Sequence, residues 1–236
     1  MQLPVIETPT YKVVIPSTKK EIEMRPFLVK EEKVLMIAQE SGDTKQILTA
    51  IKKIIRACSF DKIVPNDLTT YDLEYLFIQL RAKSVGETST LVFKCEECGK
   101  EHTAEIDIST IEVTYPEKEP ISKIEITDKV GMVLKPMALR DMVELTEDST
   151  EADITAALAS TIDYIYDDEE IYNSKDVPRN ELYGFIDNLS HKHLEIMQAF
   201  MEAQPKLSYT YEWTCEDDNC KHKNKIVLEG IRSFFT

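Results

Sequence analysis

At 236 residues the chain is long enough to bury a proper core in one or two domains. Its 43 acidic and 28 basic residues leave a net charge of −15, which opposes binding to nucleic acid or an anionic membrane through bulk electrostatics. No apolar run reaches the roughly 18 residues of a membrane span, residues 1–7 lack the basic and apolar regions of a secretory signal, and six glycines form no phosphate-cradling loop.

A cytosolic protein with reduced thiols is therefore expected. The first predicted element is a hairpin. Lys12-Val13-Val14-Ile15-Pro16 alternates apolar and polar residues, turns at 17–20, and returns as Glu21-Ile22-Glu23-Met24-Arg25-Pro26. The proline ends the strand and opens a helix over 29–39 carrying Val34, Leu35 and Ala38. Asp43 and Gln46 have the spacing of a capping box for a second helix over 44–58. Its core stripe is Ile47, Leu48, Ile51, Ile54 and Ile55, and Cys58 closes its apolar side as a small buried hydrophobe. Thr69 is the N-cap candidate of a third helix with Leu73, Leu76, Phe77 and Leu80 inward. Residues 81–87 then connect to an apolar hairpin with Cys95-x-x-Cys98 at its tip, Gly86 supplying a turn.

The same plan recurs. Lys123-Ile124-Glu125-Ile126 and Gly131-Met132-Val133-Leu134-Lys135-Pro136 repeat the opening hairpin, down to the basic residue before proline. Helices are expected over 138–145 and 151–166, the longer with Ile154, Leu158, Ile162 and Ile165 as its stripe. An extra helix-like insert covers 178–186. Asp187-Asn188-Leu189-Ser190 matches Asn66-Asp67-Leu68-Thr69 at a constant offset, making Ser190 the counterpart N-cap of a helix with Leu194, Met197 and Met201 inward. It runs into a second hairpin with Cys215-x4-Cys220 at its tip. The expected fold is α+β: two duplicated units over 1–110 and 111–236, each a β-hairpin, several helices and a Cys-bearing β-hairpin. A zinc-ribbon-like four-cysteine site joins them, and the halves can close into one compact pseudo-symmetric domain.

Two knuckles that each present two thiolates complete a closed tetrahedral Zn²⁺ site from Cys95, Cys98, Cys215 and Cys220. Four protein ligands leave no position for water or substrate, so the metal is structural and hydrolysis is disfavoured. The plain alternative is four packed or solvent-facing thiols. His102 and His222 lie near enough in sequence to replace a cysteine, but four thiolates already satisfy the ion. His191 and His193, two apart at a helix start, point in different directions and read as solvated surface. The run 163–170 holds five carboxylates and reads as a polar helix end and loop.

Met24-Arg25-Pro26-Phe27-Leu28-Val29-Lys30-Glu31-Glu32-Lys33, then Asp72-Leu73-Glu74-Tyr75-Leu76-Phe77, Arg81-Ala82-Lys83-Ser84-Val85-Gly86-Glu87 and Cys95-x-x-Cys98 together resemble the T4-type bacteriophage baseplate hub family. The ending, Cys215 and Cys220 followed by Gly230-Ile231-Arg232-Ser233-Phe234-Phe235, is similar to that family's C-terminus. The resemblance implies a non-enzymatic hub component or assembly chaperone of a contractile tail. Its partners would be other phage baseplate hub or tail proteins, met in the host cytoplasm during assembly or retained in the virion. It supplies no catalytic residues. Arg81, Lys83, Phe234 and Phe235 are the candidate partner-binding residues, the phenylalanines docking either on the chain itself or on a partner. Two rival readings are a zinc-ribbon nucleic-acid-binding regulator, opposed by the charge, and an enzyme whose site assembles from residues without a motif.

Overall fold

The structure is a computed structural model that describes residues 7–142 and 149–234. Its described elements run β1 (Tyr11–Val14), β2 (Glu21–Met24), α1 (Val29–Glu40), α2 (Thr44–Cys58), α3 (Thr70–Ser84), β3 (Thr88–Lys94), β4 (Glu101–Asp107) and β5 (Val113–Thr114). They continue as β6 (Lys123–Glu125), β7 (Gly131–Leu134), α4 (Glu151–Ser160), β8 (Ile162–Tyr166), β9 (Ile171–Asn173), α5 (Arg179–Asp187), α6 (His191–Glu202), β10 (Lys206–Thr214) and β11 (Lys223–Glu229). The chain is thus α+β with small antiparallel sheets. It divides into two compact units, Met1–Thr114 with Lys206–Thr236, and Tyr115–Pro205. The β10–β11 hairpin therefore packs in the first unit, although the second half of the chain supplies it.

In the first unit α2 buries Ile51, Ile54, Ile55 and Cys58, as its stripe predicts. Its N-cap Asp43 accepts from the Lys45 N–H at 2.8 Å, while Gln46 turns its amide back to the Asp43 carboxylate instead of completing a box. α1 departs from expectation. Leu35 and Ala38 are buried, but Val34 faces out and Glu31 takes the inward place. Glu31 is tolerated there because Arg25 Nη2 donates to its Oε1 at 2.9 Å and the Leu28 N–H to its Oε2 at 2.9 Å. Burial beside this pair pushes the Cys58 thiol up to about 11, which keeps it protonated and unreactive near neutral pH.

α3 organises the unit. Thr69 caps it, and Asp72, fully buried, returns a bond to the Thr69 N–H at 3.2 Å. The same carboxylate accepts from the Ser17 N–H at 2.8 Å and the Ser17 hydroxyl at 2.6 Å, which ties the turn of the first hairpin to the start of α3. At the far end the Phe27 N–H donates to the Ser84 hydroxyl at 2.9 Å. Ile78 and Ala82 of α3 pack with Leu91, Ala104, Ile106, Leu207 and Leu228 from the two long hairpins.

The second unit sets a four-stranded sheet, β6-β7-β8-β9, against α4, α5 and α6. Ile124, Met132, Leu134, Ile162 and Ile165 pack with Leu158, Leu182, Ile186, Met197 and Phe200. Gly131 is required in β7, because a Cβ there would fall on the Tyr166 ring and the Ile124 carbonyl. The helix expected over 151–166 is corrected: α4 stops at Ser160 and 162–166 is strand. Ser160 and Thr161 turn their hydroxyls back to the Ala157 and Leu158 carbonyls, and the β-branched and aromatic Ile-Asp-Tyr-Ile-Tyr pairs with β7 and β9. The acidic run is accordingly strand β8 and the hairpin turn after it, where Asp167 accepts from the Glu169 and Glu170 N–H groups. Residues 138–142 form a turn closed by the Asp141 N–H on the Ala138 carbonyl, and the rest of the helix expected over 138–145 lies outside the described residues. The insert is helical as expected, as α5.

Two stability predictions follow from α3. Asp72→Ala strands the Ser17 and Thr69 N–H groups and should cost about 3 kcal/mol in urea unfolding, against a smaller loss for Asp72→Asn. Burial, opposed by the Ile231 N–H and reinforced by Glu229, pushes Glu74 from its ordinary 4.5 up to about 7. The folded state therefore holds this proton more tightly. The stability it confers is complete below about pH 4.5 and is lost as pH rises through about 7. Glu74→Gln should flatten that part of the stability–pH curve, and an unchanged slope would refute the assignment.

Candidate metal centre

Both knuckles are built by register. β3 and β4 pair from Thr88↔Asp107 to Lys94↔Glu101, and β10 and β11 from Ser208↔Glu229 to Thr214↔Lys223, so each hairpin ends just short of its cysteines. The Cys95 N–H donates to the Lys100 carbonyl at 2.9 Å, and the Cys215 N–H to the His222 carbonyl at 2.8 Å. The residue after the second cysteine is left-handed in both tips, Gly99 at φ 73° and Lys221 at φ 49°. Glycine meets that demand without strain; Lys221 accepts it within the longer Cys215-x4-Cys220 loop.

These loops bring all four predicted ligands together. The Sγ atoms of Cys95, Cys98, Cys215 and Cys220 lie within 4.8 Å of one another. Cys95 and Cys220 are 3.8 Å apart, Cys98 and Cys215 3.6 Å. Zinc–sulfur bonds of about 2.3 Å in a tetrahedron put sulfurs about 3.8 Å apart, so the donor set fits such an ion. Neither His102 nor His222 belongs to the cluster. Cys95 and Cys215 are buried, Cys220 is half-buried and Cys98 is exposed.

The electrostatics also suit a cation. The Cys98 N–H, opposed by burial and aided by the Glu97 N–H and the Asn224 amide, draws Cys95 down to about 6. Cys220 has the His222 N–H in its favour, but burial and the hydrogen bonds it shares with Cys98, Cys95 and Cys215 push it up to about 12. One thiolate forms readily while Cys215 and Cys220 resist, an imbalance a divalent ion would remove.

Several supporting residues carry no motif. Asn224, buried, donates to Cys95 Sγ at 3.5 Å and accepts from the Glu96 N–H at 3.0 Å, clipping one knuckle to the other. Below the sulfurs, Phe93 and His102 of one hairpin stack against Tyr211 and Trp213 of the other, with His102 and Trp213 centroids 5.3 Å apart and 10° from parallel. His102 Nε2 also meets the Tyr211 hydroxyl at 3.0 Å. The alternation of β10 could have placed Tyr211 and Trp213 on one face; nothing in the sequence named their partners.

The candidate partner residues fall on α3 and on the last described turn. Arg81 and Lys83 belong to the last turn of α3, Arg81 half-buried and Lys83 exposed with its Nζ 2.8 Å from Glu87. Phe234 ends the short helical turn Ile231–Phe234, and Phe235 lies outside the described residues. His191 is exposed beside Glu195, and His193 meets the Ser190 N-cap hydroxyl at 3.1 Å.

Fold and site together define an α+β protein in which two hairpins far apart in the chain close a four-cysteine cluster. A family described as T4 bacteriophage base plate protein matches residues 8–236, and the chain belongs to it. No curated protein and no solved structure matched the chain. Among the described residues no helix is long and apolar enough to cross a membrane.

The reduced protein should carry one thiolate-bound metal ion per chain. Cys95→Ser or Cys215→Ser should abolish stoichiometric metal and lower Tm by on the order of 10 °C, with a change in emission of Trp213, the single tryptophan. Equal stability before and after exhaustive chelation would overturn the site.

Proposed function

We propose that this chain is a non-enzymatic component or assembly chaperone of the baseplate hub of a contractile-tailed phage, held in shape by a structural Zn²⁺ on Cys95, Cys98, Cys215 and Cys220. The observation that carries this reading is the family match over nearly the whole chain. The four-thiolate donor set supports it, since a closed site of this kind stabilises a fold and leaves no coordination position for substrate. Partners are then other hub or tail proteins, met in the host cytoplasm and, for a retained subunit, in the virion. Arg81, Lys83, Phe234 and Phe235 remain the proposed contacts.

The chain is also proposed to have arisen by duplication, with repeats over 1–110 and 111–236. Support comes from the opening hairpin and the long cysteine hairpin present in each half, although β8 and β9 interrupt the helices of the second. The Cys95 and Cys215 N–H groups also bond to matching carbonyls, two residues past each second cysteine. The left-handed residues Gly99 and Lys221 fall at the same place in both knuckles.

Mass spectrometry of purified virions and of infected-cell lysate tests the role. A hub component appears in both at fixed ratio to other baseplate proteins, and a chaperone only in lysate complexes with them. A chain found in neither kind of assembly refutes both versions.

A further inference from the structure

The second unit is strongly acidic: residues 115–205 hold eight lysines and arginines against twenty aspartates and glutamates. Four of those eight cations, Lys135, Arg140, Lys175 and Arg179, nevertheless line one cleft of about 540 Å³. Among the described residues Asp141 is the one carboxylate in that lining. The cations reach it from separate places. Lys135 follows β7, Arg140 lies in the turn beyond it, Lys175 follows β9, and Arg179 opens α5. Bringing them to one site concentrates half of the unit's positive charge where chance would have placed carboxylates.

The four are not equivalent. Lys135 Nζ lies 3.4 Å from Asp163 and donates to the Ser174 hydroxyl at 3.3 Å, and Arg140 Nε lies 3.6 Å from Asp141. Lys175 and Arg179 are exposed and make no ion pair among the described residues. Between them the wall is partly apolar: Ala156 and Ala159 of α4, then Val177 and Leu182, with Ser160, Ser174 and Tyr183 among them. A site for a small phosphate would converge backbone N–H groups on one point. A duplex or a membrane would carry its phosphates beyond the cleft onto the surrounding acidic surface of a chain at −15, which a short segment need not meet. Long cationic side chains spaced around a partly apolar floor fit instead an extended segment that alternates carboxylates with apolar residues.

We propose that this cleft binds an acidic, partly apolar segment of a partner protein. Carboxylates of the segment meet Lys175 and Arg179, and its apolar side chains settle on Val177 and Ala156, both half-buried in the cleft wall. The inference stands on this cleft alone and depends neither on the metal nor on the hub.

The test uses the full chain and a labelled peptide rich in Asp and Glu with spaced leucines, read by fluorescence anisotropy at low salt. Binding should occur, weaken with added salt, and vanish for the same peptide with Asn and Gln in place of its acids. Lys175→Glu with Arg179→Glu should weaken it roughly ten-fold. Lys118→Glu with Lys192→Glu changes the charge of the same unit equally, away from the cleft, and should have little effect. All four positions are exposed, so circular dichroism should show every variant folded. Equal weakening by both pairs, displacement of the peptide by inorganic phosphate, or failure of the acidic peptide to bind would each overturn the proposal.

Discussion

Four sulfurs drawn from two places 117 residues apart in sequence meet in one cluster, and the geometry of both long hairpins is subordinate to that meeting. Closing a flexible loop of that length costs about 4 kcal/mol beyond a constant term. Structural zinc sites contribute on the order of 10 kcal/mol, so metal binding on this scale exceeds the loop cost. The protein does not leave the approach to the ion alone. The Asn224 clip and the stack of Phe93, His102, Tyr211 and Trp213 hold the hairpins face to face by contacts that need no metal. Such a frame presents the thiols before an ion arrives and lowers the ordering cost of binding it.

The other end of the first unit depends on α3. One helix uses its first turn to hold the β1–β2 turn through Asp72, and its last residue to hold the segment before α1 through Ser84. In between, Glu74 accepts from the Ile231 N–H, which brings the chain's last described turn to the same helix. The two carboxylates do different work. Asp72 sits in the first turn of the helix and accepts from three donors, which makes it a structural tie. Glu74 is buried in mid-helix with one backbone donor and Glu229 nearby, a setting that penalises its charge.

What the sequence made legible follows from how local each signal is. The bounds of α2 are those expected, because one cap and an unbroken apolar stripe determine them. The cysteine knuckles were legible because apolar alternation, turn and ligand spacing coincide within about twenty residues. Strand β8 was misread for a specific reason. Pairing slips between Val133 and Leu134, so Leu134 sits opposite Ile162 while Val133 sits opposite Tyr164. The extra residue, Asp163, lets Ile162 and Ile165 both face the core although they stand three apart, and a three-residue spacing imitates a helix. Glu31 and Asn224 were invisible for a different reason. A buried polar side chain is defined by its partner, and Arg25 and Cys95 lie 6 and 129 residues away from them.

A closed metal centre limits where function can reside. With four protein ligands a bound ion would have no vacancy to lend to chemistry, and it would serve to keep two hairpins together. In a chain with 43 carboxyl side chains acidic surface is the background state. Placement of cations is then the informative variable. Several are spent singly, as Lys12 on Glu21, Lys83 on Glu87, Lys129 on Asp168 and Lys225 on Glu212, exposed pairs of small energetic consequence. Others gather around one cleft, where Lys135 and Arg140 meet Asp163 and Asp141, while Lys175 and Arg179 make no ion pair among the described residues. Those two are the cations the proposed partner segment would neutralise.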